Sequence, residues 1–315
     1  MISRRLIRVK VFKVLFSRVS SGSDSINGAE KELIMSCEKT LDLYYFLLGL
    51  PVALKKISET KIEAGLKKFH PTSEELNPNR RFVDNPVIEK LENCEELTKF
   101  CENRGLLWND HESVVKKIYS SMIKSDYYRE YMSAPETSYD KDLKLILDIY
   151  EQELEDCEDL YTMLEDASLY WVDDIAYVIN IIIKRLALMI EKSKVSFPKV
   201  FIKDEDREYA VRLLAKALLN YDEYVEMMAR YVLNWEPERL AATDTNLIVL
   251  GIAEAIAFPN IPLKVTINEY VELSKFYSTQ NSKVFVNGIL DKVLIGLHRE
   301  GVVQKSGRGL VGSID

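Results

Sequence analysis

Arg4, Arg5 and Arg8 stand near the start of this chain, and residues 1–20 also hold Lys10, Lys13 and Arg18 but no acid. A guanidinium grips phosphate through paired donors, and several together concentrate a polyanion. On a helix turning about 100° per residue, the three arginines share one arc. Farther along, the same arc carries Phe12, Leu15 and Val19. The stripe predicts a helix over residues 3–19 that buries its back half and projects three guanidiniums into water from its first turn. Phe16 offers a ring on which an unpaired base can stack, whereas Phe12 reads as core. The whole chain of 315 residues carries a net charge of −8. A basic arm on an acidic body suggests a polyanionic partner, set against the plainer reading of a solvated helix end.

Other reactive residue types are poorly arranged for catalysis. His70, His111 and His298 have no nucleophile and acid at a recognisable spacing. Glu151, Glu153, Glu155, Asp156, Glu158 and Asp159 read as a solvated helix face. Gly307-Arg308-Gly309 is not followed by the helix that a phosphate-cradling loop needs. Cys37, Cys94, Cys101 and Cys157 form no CxxC pair and have no histidine at metal-ligand spacing. The expectation is a reduced protein, with no metal, no cofactor and no enzymatic activity. Lys10 and Lys13 interrupt any signal-peptide core, although the acid-free amphipathic arm faintly resembles a transit peptide. The apolar run from Ile175 to Ile183 contains Asn180 and is too short to span a bilayer. A cytoplasmic protein without membrane association is expected.

The elements that must position the arginines are helices. Twelve glycines and nine prolines in the whole chain are few breakers. Helical patterns cover residues 29–69, with a break at Gly49-Leu50-Pro51, then 87–103, 110–132, 140–165 and 170–192. Asn109 or Asp110 is placed to cap the helix over 110–132. Further helices are expected over 204–229, begun by Asp204 with Asp206 in its first turn, and over 236–257, 263–277 and 282–298. Residues 70–86 read as a loop, and residues 303–315 as a frayed tail. The fold class is therefore all-α.

Near the carboxyl end the chain reads Val265-Thr266-Ile267-Asn268-Glu269-Tyr270-Val271-Glu272-Leu273-Ser274-Lys275-Phe276, then Ser282-Lys283-Val284-Phe285-Val286-Asn287-Gly288-Ile289-Leu290-Asp291-Lys292. Val265, Leu273 and Phe276 lie on related turns of one amphipathic helix, and Asn281 or Ser282 can cap the next. Gly288 inside a helix costs about 1 kcal/mol against Ala, which suggests a close helix approach there. Asn268, Glu269, Asn287 and Asp291 read as capping, salt-bridging or backbone-holding groups.

These two stretches closely resemble the closing helices of the NusB family of transcription antitermination factors, and Arg4 to Ser17 resembles that family's arginine-bearing first helix. The resemblance implies an all-α, NusB-like bundle formed by residues 1–20 with 204–302. It implies binding of boxA-type single-stranded leader RNA of ribosomal RNA operons, together with the small-subunit ribosomal protein that acts as NusE. Other Nus factors and RNA polymerase then join. It also implies that the start of the last helix lies beside the first helix, so that Arg4, Arg5, Arg8, Phe16, Ser282, Lys283 and Phe285 share an RNA-facing surface. Residues 21–203 depart from the family pattern as a large helical insertion. Two other readings stay open. One is a helical scaffold acting through that insertion. The other is a non-catalytic NusB-like module related to ribosomal RNA methyltransferases.

Overall fold

The computed structural model describes residues 1–23, 25–231 and 240–311. The architecture is all-α: among the described residues no strand occurs, and one isolated bridge joins Ile2 to Phe201. The helices are α1 (Arg4–Ser21), α2 (Ile26–Leu48), α3 (Leu50–Leu66), α4 (Ser73–Leu76), α5 (Pro86–Glu92), α6 (Glu95–Arg104), α7 (Glu112–Met122) and α8 (Asp126–Ser133). They continue with α9 (Tyr139–Glu153), α10 (Glu158–Ala167), α11 (Ile175–Leu186), α12 (Asp204–Leu219), α13 (Tyr221–Ala229), α14 (Ala242–Ala257), α15 (Leu263–Tyr277) and α16 (Ser282–Arg299). Among the described residues no helix is long and apolar enough to cross a membrane.

The chain forms two compact units. One holds residues 2–37 and 201–315, the other Met1 and residues 38–200. In the first, α1 begins where the Ser3 hydroxyl accepts from the Leu6 amide at 3.3 Å. It ends at Gly22, whose φ of +62° lets the chain turn back and bond the Arg18 and Val19 carbonyls. Residues 21–37 belong to this unit, and Arg18 donates to Glu32 at 2.5 Å.

Helix α14 is the axis of this unit. Every residue from Asn246 to Ala255 is buried, and α1, α12, α13, α15 and α16 pack around it. A Cβ added to Gly251 would meet Leu290 of α16 at 2.5 Å, so this glycine is where two helices approach closely. Gly288 is not such a place, because a Cβ there meets open space. Residues 303–311 also differ from the frayed tail expected. Val303 is buried, the Ser306 amide bonds the Pro259 carbonyl at 3.1 Å, and Lys305 donates to the Ala255 and Phe258 carbonyls at 2.8 and 3.2 Å. Residues 312–315 lie outside the described residues, as does the start of the helix expected over 236–257.

The second unit contains α3 to α11. Tyr45 stacks between Phe100 and Phe197, with centroids 3.7 and 4.7 Å away, and Phe46 stacks on Trp108 at 4.2 Å. Three expected long helices are divided, that over 140–165 between Glu153 and Glu158. The pattern over 87–103 breaks at Asn93–Cys94, and that over 110–132 breaks where Ser125 caps α8 by accepting from Tyr128. At α8 a short polar side chain takes a free amide of the new first turn, which a periodic apolar pattern does not reveal. Asn109 and Asp110 lie in a 3-10 turn and make no cap for α7. The acidic run is exposed except at Glu153, which is buried and accepts from Tyr127 at 2.7 Å. Among the described residues no three His, Cys, Asp or Glu side chains are grouped to hold a metal ion.

Candidate nucleic-acid interface

Arg4, Arg5 and Arg8 of α1 meet different fates, because helical phase groups them but their neighbours do not. Arg5 is 58% exposed and donates from Nε and Nη2 to Glu269 at 3.0 and 2.7 Å. The Arg5 bonds hold the Glu269 carboxyl below the ordinary carboxylate range, despite a desolvation cost that opposes them. Arg4 is 43% exposed, donates to Asp206 at 3.0 Å and lies 5.0 Å from the Tyr209 ring centre. Both keep guanidinium surface in water.

Arg8 is different, and it leaves the set of RNA-binding residues. It is 4% exposed and donates from Nε and Nη2 to Glu254 at 2.7 and 3.0 Å. Burial alone would lower its pKa, but the facing Glu254 carboxylate outweighs that and raises it. Glu254, which is 0% exposed, also accepts from Tyr209, from Thr266 at 2.8 Å and from Tyr270 at 3.3 Å. A buried carboxylate without such partners would be costly. No phosphate can reach this guanidinium without dismantling the core. The hub has one signal in the sequence: Glu254 is the lone carboxylate in the apolar run of α14 from Leu247 to Ala257.

Helices α1 and α15 run in the same sense along this unit. Arg5 meets Glu269, and eight residues on in both helices Lys13 lies 5.9 Å from the Tyr277 ring centre. Phe12 is buried against Tyr277 with centroids 5.3 Å apart, and half-buried Phe16 follows it at 6.2 Å. Between these ends, Glu272 accepts from Lys275. Its carboxyl is held below the ordinary range by that bond first, then by the charges of Lys275, Arg5 and Lys283. The charges of Arg5 and Lys283 thus reach Glu272, whose ion pair is with Lys275.

On the first turn of α16, Lys283 is exposed and Phe285 is half-buried. Ser282 leaves the expected surface: it is buried, with its hydroxyl on Asp244 at 2.8 Å and Ser278 at 2.9 Å and accepting from the Thr279 amide at 3.1 Å. Its side chain closes the turn before α16 from inside. Asn281 precedes α16 without a side-chain cap. Asn268 and Asn287 are exposed and Asp291 is partly so. Bonds among Thr243, Asp244, Ser278, Thr279 and Ser282 hold this hairpin. The apolar stripe expected through Val265, Leu273 and Phe276 is buried only at Leu273, while Phe276 is 80% exposed.

The NusB family model matches residues 177–294. The transcription antitermination protein NusB of Salinibacter ruber is 39% identical over 112 residues, which are 35% of this chain and 70% of that protein. That of Chloroherpeton thalassium is 39% identical over 105 residues, 33% of this chain and 50% of its own length. That of Myxococcus xanthus is 38% identical over 98 residues, 31% of this chain and 70% of its own. No solved structure matches. Two relatives covered over 70% of their length, together with the family model, place the chain: it belongs to the NusB family.

Proposed function

We propose that this protein is a transcription antitermination factor that binds boxA-type single-stranded leader RNA of ribosomal RNA operons, together with the NusE-type small-subunit ribosomal protein. The relatives' name supports the antitermination role. The observation that carries the RNA reading is the exposed cations Arg4, Arg5 and Lys283, with the partly exposed rings of Phe16 farther along α1 and of Phe285 on the first turn of α16. Phosphates take the guanidiniums and the ammonium, and unpaired bases take the rings. The protein acts by binding, and other Nus factors and RNA polymerase assemble on the RNA-bound pair.

These cations are sparse, and carboxylates occupy some of them. Arg5 must exchange Glu269 for phosphate, and Arg4 must exchange Asp206. In both pairs the guanidinium is half in water and the carboxylate is largely covered, so the exchange costs more than the roughly 0–1 kcal/mol of a fully exposed pair and lowers the affinity of the protein alone. The ribosomal partner supplies the remaining surface. Fluorescence anisotropy with labelled boxA RNA tests this, with and without that partner. Tighter binding by the pair than by either protein is expected, and no binding by the pair overturns the reading.

A further inference from the structure

Helix α15 buries Leu263, Thr266, Ile267, Tyr270, Val271, Leu273 and Ser274 on its inner side. Phe276 falls off that stripe and stands 80% exposed on the last turn. Burying a phenylalanine side chain stabilises a fold, and this ring contributes little of that. Its surroundings carry both charges. Lys275 precedes it and pairs with Glu272, one turn before the ring on the same face, and Glu269, two turns before it, takes two hydrogen bonds from the exposed Arg5. A bare aromatic ring on the stripe where Arg5 and Lys275 are held by carboxylates is a surface on which a base of a single strand can stack while its phosphates exchange with those carboxylates.

We propose that Phe276 is a stacking platform for one unpaired base of the bound RNA, adding a base contact to the charged contacts. This rests on the RNA-binding reading of the same face. Stacking on a ring is indifferent to charge, so its loss lowers affinity at every salt concentration by the same factor. Loss of a phosphate contact instead flattens the salt dependence.

The test is an anisotropy titration of boxA RNA, across a salt series, with the wild-type protein, F276A and F276W. F276A is expected to bind about 5- to 150-fold more weakly with an unchanged slope against salt. F276W keeps the platform, so it binds like wild type and its added indole emission is quenched by RNA. Wild-type affinity in F276A, or indole emission in F276W that RNA does not change, overturns the platform alone. Loss of binding to the ribosomal protein with RNA affinity intact also overturns it, and reassigns the ring to a protein contact. Failure of the wild type to bind RNA in any combination removes the RNA reading and the platform with it.

Discussion

Arg8 and Glu254 face each other through two hydrogen bonds, 2.7 and 3.0 Å long, with both side chains out of water. The pair joins α1 to α14 at the centre of the unit. R8A leaves the Glu254 carboxylate buried without its counter-ion, and breaking a buried pair from one side costs about 3–5 kcal/mol. Urea denaturation is expected to show that loss. Replacing both partners by apolar residues of similar volume is expected to recover most of it. An R8A protein as stable as wild type contradicts the buried assignment.

The exposed arginines behave otherwise. With Arg4, Arg5 and Lys283 each meeting one phosphate, log affinity for single-stranded RNA falls against log salt with a slope of about −2. The double variant R4A/R5A is expected to retain its stability to within about 2 kcal/mol and to show a slope near −0.7. Anisotropy from low to moderate salt measures both. An unchanged slope removes these two side chains from RNA contact.

Glu269 predicts a pH effect. Its folded pKa lies below the ordinary 4.5, so the folded state favours the ionised form. The stability this contributes is present above pH 4.5 and is lost as pH falls through the lowered folded value. Denaturation midpoints at a series of acidic pH values are expected to fall more steeply for wild type than for E269Q. R5A, which removes the main cause of the shift, is expected to resemble E269Q.

Two glycines in neighbouring helices predict opposite outcomes. G251A drives a methyl into Leu290, and overpacking of this kind costs about 1–3 kcal/mol. G288A meets open space and relieves a helix of its glycine, so a gain of up to about 1 kcal/mol is expected. Thermal melts of the two variants distinguish the sites, and equal effects contradict the packing at Gly251.

Periodicity was enough to read the helices and the burial of Phe12, because an apolar stripe is a local property. The fate of Arg8 was not local. Helical phase puts it with Arg4 and Arg5, and only a carboxylate 246 residues away takes it out of water. Ser282 misleads for a similar reason: its type suits either a cap or a ligand contact, and the turn before α16 turns it inward. Gly288 lies in the more recognisable motif, yet the close approach is at Gly251, in a helix whose all-round apolarity marks its burial without saying which face meets which neighbour. For residues 38–200 the sequence reveals helices but not all of their breaks, and it gives no role to the aromatic stack around Tyr45.

The hub on Glu254 also has an order in time. Its donors come from positions 8, 209, 266 and 270, and its acceptor from position 254. At a synthesis rate of about 5–20 residues per second, a ribosome takes on the order of 12–50 s to travel from the arginine codon to the glutamate codon. Through that interval the opening helix carries a cation with no counter-ion to bury it, so it cannot settle into its final place. The amino-terminal helix of this chain is made first and completed among the last.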